Sequence, residues 1–588
     1  MKKKKFVISS SLELLVPRIK KNLIFLGDWC FTGLNKKKFD SKNIEVIDYH
    51  WNNQNKLIRD YNYINKIYKI LSKDLTAFLN KVHKKNFSVR YWEQIFGIWL
   101  LRFTIFVFDK YSVAKKLSKE KKYLYNYVNL KNRLIPNTSS EANYLFQDEF
   151  FNHKIFTEIL FKIRPNISFI EKKTTSIKSK FSNPKINFSL FFNFFSFLTN
   201  LKKIKKEVFI ISSYLGTLKE ILLQLNLNSF PKFNFCKKID KKFIIINSLR
   251  EKNIAKKKDD YFLKLIKTLL IRNIPASYLE GYDYIQKKSS KYNWPENPKA
   301  IITANAHFNF DIFKFWLAEK RERNIKLIVF QHGSGYLFSK FYSEYDLDVN
   351  NCDYLLSWGG KKFRNKKILQ GFNIRSKKEF KREKKENILL VQYFPYKYTT
   401  RLVINDYNFS NINKNLNNQK KFIKNLNKEV SETLRIRLFS SKSAYTDIHD
   451  YEKDKWHDLK VKHVFETREV PIEKSINNSK IVIINTFHST LFFECLTSNI
   501  PCFVFSDFSL NTIKKECRKD FINLKKIGII QDNPLHFSKF LNKNIKNIDK
   551  WWNQKKVLNI KNTFIKNYCH YEKNQINFIK KKLNSAKL

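Results

Sequence analysis

Residues 479–505 read SKIVIINTFHSTLFFECLTSNIPCFVF, and this stretch indicates the fold class most clearly. It parses as an apolar strand, a tight polar turn, a helix and a second apolar strand. Ser489 or Thr490 can cap the start of the helix, and Asn499 followed by Pro501 suits its end. A strand, a helix and a further strand within so few residues predict a βαβ unit with parallel strands.

The same alternation of short apolar strands and helices extends through most of the chain. We predict strands at 5–11, 22–26, 44–49, 207–212, 243–247, 300–304, 325–330 and 354–357, and then at 387–392, 435–439, 463–466, 480–485, 502–505 and 527–530. A charged stretch, KKEFKREKKE at 377–386, separates the two series. Two α/β halves joined by a charged linker are typical of a two-domain enzyme with a cleft.

These patterns divide the chain into four predicted segments. They are an N-terminal α/β domain at 1–376, which contains a helical segment at 51–131 and a variable insert at 165–206, the linker at 377–386, a C-terminal α/β domain at 387–545, and a helical tail at 546–588. The helical segment is predicted from its apolar period and from the absence of proline.

The composition limits the class of protein. Of 588 residues 43% are hydrophobic, so the chain can bury sizeable cores. Lys and Arg number 113 against 52 Asp and Glu, which gives a formal net charge of +61. An AT-rich genome explains such a charge without selection, and the alternative is an anionic partner such as nucleic acid, a membrane surface or a phosphorylated substrate. The lysines are spread along the chain without a nucleic-acid-binding motif, which disfavours nucleic acid.

Cysteines and apolar segments favour an intracellular location. The seven cysteines are scattered without a CxxC pair, which is typical of reduced thiols. Lys2–Lys5 followed by Phe6–Val16 imitates a signal peptide, but Glu13 interrupts the apolar run, so we expect a strand there. The nearest approach to a membrane span, Ile186–Leu201, is too short and polar, and we expect a buried helix or an interfacial element.

Glycine is so scarce, at 11 residues, that its positions are informative. The sequence IVFQHGSGYLF at 328–338 places two glycines and His332 directly after a predicted strand. Ligands bind at the carboxyl ends of parallel strands, and an imidazole there can act as a general base; the alternative is a tight turn with a structural histidine. The residues expected to shape the cleft are Gln331, Gly333, Gly335, Gly359, Gly360 and His488.

The helix that begins near Ser489 and Thr490 is the predicted nucleotide site. Free N–H groups at a helix start favour phosphate, and Glu494, one turn further on, can accept both hydroxyls of a ribose. Arg401 and Arg437 follow or lie in neighbouring strands and are further candidates for phosphate binding. The same residues would also suit a capped helix, a solvated Glu494 and packing arginines.

Other polar residues give weaker signals. His83, three residues after Asn80 on a predicted helix, is an acceptor-side candidate, and the alternative is a histidine satisfied within the helix layer. The histidines His449, His457 and His463 lack zinc-ligand spacing, so no metal is expected. The chain has no GxxxxGK[ST], GxGxxG, HExxH or GxSxG motif, which argues against P-loop enzymes, dinucleotide oxidoreductases, zincins and α/β-hydrolases.

Several short motifs, taken in order, resemble a known family. They are FLGDWC (25–30), YHW (49–51), KLIRDYNYI (56–64), LNKVH (79–83), SVRYW (88–92), GIWL (97–100), VFQHGSGY (329–336), DYLLSWGG (353–360) and NTFHSTLFFECLTSNIPCFVF (485–505). Over about residues 6–510 the chain resembles bacterial transferases encoded in surface-polysaccharide and O-antigen gene clusters. Its C-terminal half is also similar to the nucleotide-binding half of GT-B glycosyltransferases and of polymer glycerophosphotransferases.

The resemblance implies an α/β, GT-B-like fold with two Rossmann-like domains facing a cleft and an N-terminal helical elaboration. It implies that His332 activates the acceptor and that Glu494 binds the nucleotide ribose. The chain departs from the family pattern at Ile98, where Pro is usual, at Lys110, where Arg is usual, and at Ser334, where Gly is usual. Those departures bear on specificity and not on the fold.

We therefore expect a cytoplasmic transferase, peripheral at the inner membrane. It would move a glycosyl or phospho-polyol group from a nucleotide-sugar or nucleotide-polyol donor to a glycan or lipid-linked acceptor. The nucleotide is a substrate, and no cofactor or metal is expected because a helix dipole and arginines can stabilise the leaving phosphate. The alternatives are a nucleotide-sugar epimerase of similar shape and a non-catalytic basic protein that binds nucleic acid or an anionic membrane.

Overall fold

The computed structural model describes most of the chain. It covers residues 4–586 except 19–20, 33, 35–38, 40–42, 118, 120, 131–132, 164–165, 175–206, 232–233, 235–238, 293, 361–362, 364, 377–386, 394, 403–408, 440–451, 453–454, 457–463, 467–468 and 508. The predicted linker, most of the predicted insert, and His449, His457 and His463 lie outside the described residues.

The first sheet is formed by residues 5–171. Its five parallel strands are β1 (Lys5–Ile8), β2 (Leu23–Phe25), β3 (Ile44–Val46), β4 (Tyr123–Tyr127) and β5 (Ile167–Glu171), in the order β3-β2-β1-β4-β5. The helices that accompany it are α1 (Gln54–His83), α2 (Val89–Ala114), α3 (Ser139–Leu145) and α4 (Glu149–Ile163). Three of these strands were predicted, but not that they form a sheet of their own.

The predicted helical segment at 51–131 is wrong at its C-terminal end. The side chains of Asn53 and Ser88 cap α1 and α2, and α2 ends at Ala114. Residues 123–127 instead form β4, in which Tyr123 and Tyr125 are both buried on the sheet. Buried tyrosines two positions apart are typical of a strand, but in the sequence they follow directly on a long helical pattern, which hides the strand.

The second sheet is also wholly parallel. Its strands are β6 (Val208–Ile211), β7 (Ala300–Thr303), β8 (Lys326–Phe330), β9 (Tyr354–Leu356) and β10 (Ile368–Leu369), in sequential spatial order. Its helices are α5 (Thr217–Asn226), α6 (Asn247–Arg250), α7 (Tyr261–Asn273), α8 (Tyr282–Ser290), α9 (Ala306–Asn309), α10 (Asp311–Glu322) and α11 (Ser343–Asn351).

The strand predicted at 243–247 is wrong. The backbone N–H of Phe243 donates to the Asn137 side chain and that of Ile246 to Glu280, so side chains replace the partners that a strand ladder would supply. Ile244 is 87% exposed, although its apolar neighbours suggested a buried strand.

The third sheet has six parallel strands in the order β13-β12-β11-β14-β15-β16. They are β11 (Asn387–Val391), β12 (Leu434–Arg437), β13 (Val464–Glu466), β14 (Ser479–Ile484), β15 (Cys502–Phe505) and β16 (Ile530–Gln531). Its helices are α12 (Ile412–Lys424), α13 (Lys428–Glu432), α14 (Ile472–Asn477), α15 (Thr490–Thr497), α16 (Arg518–Lys526) and α17 (Pro534–Asn544). The strand order is that of a Rossmann sheet, with its switch point between β11 and β14.

The C-terminal helices connect the third sheet back to the second. They are α18 (Ile548–Trp552), α19 (Lys555–Tyr568) and α20 (Gln575–Ser585). Ile579 and Leu583 of α20 belong to the same apolar core as Val208 and Phe330 of the second sheet. The predicted α/β architecture of parallel sheets is therefore confirmed, and the first sheet, at residues 5–171, is an additional parallel sheet.

Candidate active site

A cavity of about 690 Å³ lies where the three sheets meet. Residues from the first sheet region (Arg102), from the second (His332 and Glu344) and from the third (Arg401 and Thr490) line it. The cavity is large enough for a nucleotide-sized ligand. Residues from all three sheet regions thus face one cavity.

His332 lines this cavity just beyond the carboxyl end of β8. Tyr336 lies one short turn later, and its hydroxyl is 2.9 Å from His332 Nδ1 and 3.2 Å from Nε2. Burial lowers the pKa of His332 to about 4, against the opposing charge of Asp348. The imidazole is therefore neutral near pH 7 and able to accept a proton.

Helix α11 holds the polar groups around His332. Glu344 and Asp348 are four residues apart, so they lie on the same face of the helix. Asp348 Oδ2 accepts the Tyr336 hydroxyl at 2.7 Å, and Asp348 Oδ1 lies 2.8 Å from His307 Nε2. A continuous chain of contacts thus leads from His332 through Tyr336 and Asp348 to His307.

Glu344 binds two arginines in the cavity wall. Arg102 donates to Glu344 Oε1 from Nε at 2.9 Å and from Nη2 at 2.7 Å, and Arg401 Nε lies 3.0 Å from the same oxygen. Burial alone would raise the pKa of Glu344, but the two guanidinium groups lower it to about 2. Two cations on one carboxylate leave a net positive charge here, and Arg401 is 38% exposed.

The start of α15 forms the opposite part of the wall. Thr490 lines the cavity together with His488, and Ser489 occupies the N-cap position without a side-chain cap hydrogen bond. The Ser334 hydroxyl donates to the backbone oxygen of His488. A Cβ at Gly335 would lie only 3.0 Å from His488 Nδ1, so the glycine permits this close approach.

Glu494 does not line the cavity. Its carboxylate lies 3.2 Å from Arg375 Nε, and Arg375 stacks over Tyr214 at 5.7 Å. The Tyr214 hydroxyl accepts from Asn305 at 2.6 Å, and Asn305 is a cavity residue. Glu494 is therefore connected to the cavity wall through Arg375, Tyr214 and Asn305 and is not part of that wall.

Gly333 lines the cavity as predicted, but Gln331 and the second glycine pair do not. Gln331 is fully buried and links its loop to Trp358, whose backbone N–H and indole N–H donate to it at 2.8 and 2.7 Å. Gly359 and Gly360 instead receive the end of α19, since a Cβ at Gly359 would lie 1.8 Å from the Asn567 oxygen. Their role is close backbone packing.

The structure also places Arg437, His83 and Asn80 away from the cavity. Arg437 is buried and donates to Ser475 and to the Val470 oxygen at 2.9 and 2.7 Å. The Asn80 side chain holds the turn between α1 and α2, since its amide donates to the Phe87 oxygen and accepts from the Phe87 N–H. His83 packs α1 against α8, where it stacks on the Tyr282 ring at 4.1 Å.

Four important polar residues of the site were missed, namely Arg102, His307, Glu344 and Asp348. Arg102 lies within an almost wholly buried helix, where a charged residue itself indicates a partner. The acidic pair on α11 carries the i, i+4 spacing of a single helix face. Neither signal identifies the partner, because each partner is distant in sequence.

The family model of the LIC12162 family transferases matches residues 5–583 of this chain. No curated protein sequence matches the chain at a significant level.

Three solved structures are similar over part of the chain. MurG of Acinetobacter baumannii is 11% identical over 65% of this chain and 99% of its own, with a TM-score of 0.33. S. aureus MnaA, solved with UDP, is 14% identical over 60% and 91%, with a TM-score of 0.34. The wall teichoic acid polymerase TagF is 13% identical over 52% and 86%, with a TM-score of 0.28. All three TM-scores lie below 0.5, which is too low for a close structural relationship.

Proposed function

The chain is a LIC12162 family transferase, and we propose that it moves a glycosyl or phospho-polyol group from a nucleotide-activated donor to a glycan or lipid-linked acceptor. One observation carries this proposal: His332, Arg401 and the start of α15 face the same cavity of about 690 Å³. A base for the acceptor and cationic groups for a leaving phosphate thus face one cavity.

In the proposed reaction the neutral His332 accepts the proton of an acceptor hydroxyl. The acceptor oxygen then bonds to the transferred group, and the bond from that group to the nucleotide phosphate breaks. The leaving oxygen takes the electron pair, and the N–H groups at the start of α15 and the Arg401 guanidinium stabilise its charge. The nucleoside would extend along α15 towards Glu494 and Arg375, where a carboxylate can accept ribose hydroxyls.

Transfer is favoured over epimerisation by the state of Glu344. An epimerase of this shape needs free acid and base groups on both sides of the sugar ring. Among the described cavity residues Glu344 carries the acidic side chain, and it is held by Arg102 and Arg401 at a lowered pKa of about 2. Glu344 is therefore ionised and already bound by two arginines, so it is unsuited to exchanging protons with a sugar ring.

A thermal-shift screen against nucleoside mono- and diphosphates tests the proposal. A nucleotide at 100 times its Kd should stabilise the chain by about 2.7 kcal/mol. We expect one nucleotide to raise the Tm of the wild type and of His332→Ala, but much less that of Arg401→Ala or Glu494→Ala. The exposed Lys414→Ala variant serves as the control. A well-folded wild type that no nucleotide stabilises would contradict the nucleotide-donor mechanism.

We propose further that the enzyme acts at an anionic membrane surface inside the cell. Within the described part of the chain every helix is either too short or too polar to cross a bilayer. Helix α5 nevertheless exposes Leu218, Leu222 and Leu225 at 70, 42 and 52%. It packs against α20, which carries three lysines at 580–582. An apolar stripe beside basic residues suits anionic lipid.

Vesicle flotation tests the membrane surface. We expect the wild type to float with vesicles that contain phosphatidylglycerol but not with pure phosphatidylcholine. Replacing both Leu218 and Leu222 by Glu should abolish flotation without changing the Tm, because both side chains are already exposed. Unchanged flotation of this double variant would contradict the assigned surface.

A further inference from the structure

The contacts behind His332 form a connected series with a defined direction. Tyr336 and Asp348 are almost fully buried, at 0 and 3% exposure, so their polar groups must find partners within the protein. The Tyr336 hydroxyl has a single proton, which it donates to Asp348 Oδ2 at 2.7 Å. Towards His332 it is consequently an acceptor.

This direction requires that a ring nitrogen of His332 carry a proton. The Tyr336 oxygen lies 2.9 Å from Nδ1 and 3.2 Å from Nε2, and the proton is assigned to Nδ1 as the nearer of the two. In the neutral imidazole Nε2 then holds the lone pair. That nitrogen belongs to a side chain that lines the cavity, as a base requires.

The far end of the series has a defined state as well. His307 Nε2 lies 2.8 Å from Asp348 Oδ1 and donates to it. His307 Nδ1 is buried and has no hydrogen-bond partner among the residues that the structure describes. A charged His307 would leave a buried N–H unpaired, so the neutral form is favoured. Asp348 therefore accepts from both sides as a carboxylate.

We propose that Tyr336, Asp348 and His307 are positioning residues that hold His332 in the Nδ1-protonated form, with Nε2 free to take the acceptor proton. This rests on the proposed role of His332 as the base. When Nε2 accepts the proton, both ring nitrogens are protonated, and the Asp348 charge, relayed through the Tyr336 hydroxyl, stabilises the imidazolium. Of the four residues in this series, His332 lines the cavity, and Tyr336, Asp348 and His307 lie behind it.

Nuclear magnetic resonance of protein labelled with ¹⁵N-histidine tests the proposal without substrate. The His332 signals are assigned from their loss in His332→Gln. In the wild type we expect Nδ1 protonated and Nε2 unprotonated at pH 7. Tyr336→Phe should convert this to a mixture of tautomers. Tyr345→Phe should not, because it removes a hydroxyl from a ring on α11 that contacts Tyr336 but lies outside the series.

The titration of His332 gives a second readout. The charged and titratable groups that act on His332 are Asp348 and Glu344 of α11, His307 of α9, and Arg401 after β11. Asp348 raises the pKa of His332, so Asp348→Asn should lower the pH at which His332 titrates. His307→Gln retains an N–H donor for Asp348 and should preserve the tautomer, whereas His307→Ala should not.

The two proposals fail differently. An unchanged His332 tautomer in folded Tyr336→Phe or in folded Asp348→Asn overturns the positioning role, whatever the enzyme transfers. If either variant does not fold, the other and the two His307 variants decide the matter. Once a donor is known, kcat should fall about tenfold or more in Asp348→Asn with KM within twofold. Full transfer activity in His332→Ala would contradict the proposed role of His332 as the base, but it would not change the tautomer measured in the wild type.

Discussion

The first and third sheets share one strand order at their centres, yet the two switch points differ. In the first sheet the switch point lies between β1 and β4, and in the third it lies between β11 and β14. Ser9, Tyr125 and His153 fill the former, with Ser9 Oγ 2.8 Å from the Tyr125 hydroxyl and 3.3 Å from His153 Nδ1. The crevice that strand order provides is thus occupied by the protein itself.

A loop from the third sheet seals the first. Lys397 forms a buried ion pair with Glu149, and the Tyr398 hydroxyl donates to the same carboxylate at 2.9 Å. At the third sheet's own switch point the Asn485 side chain accepts from the Tyr393 N–H at 2.7 Å, and the residues beyond it face the cavity. Strand order therefore creates a place for a ligand, and side chains determine whether that place stays open.

Breaking the seal of the first sheet should have the largest effect on stability. Glu149→Ala leaves Lys397 as an unpaired charge that is only 4% exposed. Removing one partner of a buried ion pair costs about 3–5 kcal/mol. We expect a fall of that size in the free energy of unfolding, measured by urea denaturation.

Two further variants provide the comparison for the loss of unfolding free energy in Glu149→Ala. Lys414→Ala removes one partner of an exposed pair with Asp507 and should cost at most about 1 kcal/mol. The double variant Glu149→Gln with Lys397→Met removes both charges and should recover much of the loss. If Glu149→Ala were as mild as Lys414→Ala, the first switch point would not be a sealed region.

The comparison extends to two histidines, His153 of α4 beside the filled switch point and His332 after β8 in the cavity wall. Burial lowers the pKa of His153 to about 3 and of His332 to about 4, so both are neutral at pH 7. His153→Ala leaves the Val128 N–H without its acceptor and should cost about 2–3 kcal/mol. His332→Ala opens onto the cavity and should cost about 1 kcal/mol or less, while transfer falls roughly 10²–10⁴-fold.

Urea unfolding and a transfer assay on both variants measure the contrast. We expect His153→Ala to lose mainly stability and His332→Ala to lose mainly transfer activity. Equal losses of stability would mean that the cavity histidine is structural, and retained transfer in His332→Ala would remove its role as base.

Much of the α/β architecture could be predicted from the sequence, because apolar strands and capped helices leave local periods. The residues 328–338 and 489–490 could also be placed at strand or helix ends, and the structure brings His332 and Thr490 to one cavity. The first sheet was not predicted as a separate sheet because two tyrosines of β4 followed a long helical pattern and β5 lies within the presumed insert.

The remaining site residues could not be predicted because their partners are distant in the chain. Glu344 meets Arg102 across 242 positions, and no local pattern encodes that pairing. Gly359 shows the converse: its rarity signalled a close approach, but the approaching backbone is Asn567 of α19 and not a ligand. Residue type indicates the need for a partner, and only the tertiary fold identifies it.

The smallest predicted effect concerns acid stability at the open site. The pKa of Glu344 is lowered to about 2 in the fold, below its ordinary value of 4.5, so its contribution to stability is complete above about pH 5. It declines as pH falls through 4.5 towards 2, because the unfolded chain takes up the proton first. By pH 4 we expect a loss of about 1 kcal/mol from this group. Urea unfolding at pH 7 and pH 4 measures it as a narrowing stability gap between wild type and Glu344→Gln.

A matched variant separates this effect from general acid sensitivity. Asp532→Asn removes the carboxylate of a surface pair with Lys525, which is 44% exposed, and should keep a nearly constant gap to wild type at both pH values. A constant gap for Glu344→Gln as well would mean that Arg102 and Arg401 do not hold Glu344 ionised in the folded state. The ion pairs of Glu344 with Arg102 and Arg401 would then contribute nothing measurable to stability, in contrast to the buried ion pair of Glu149 and Lys397 at the first sheet.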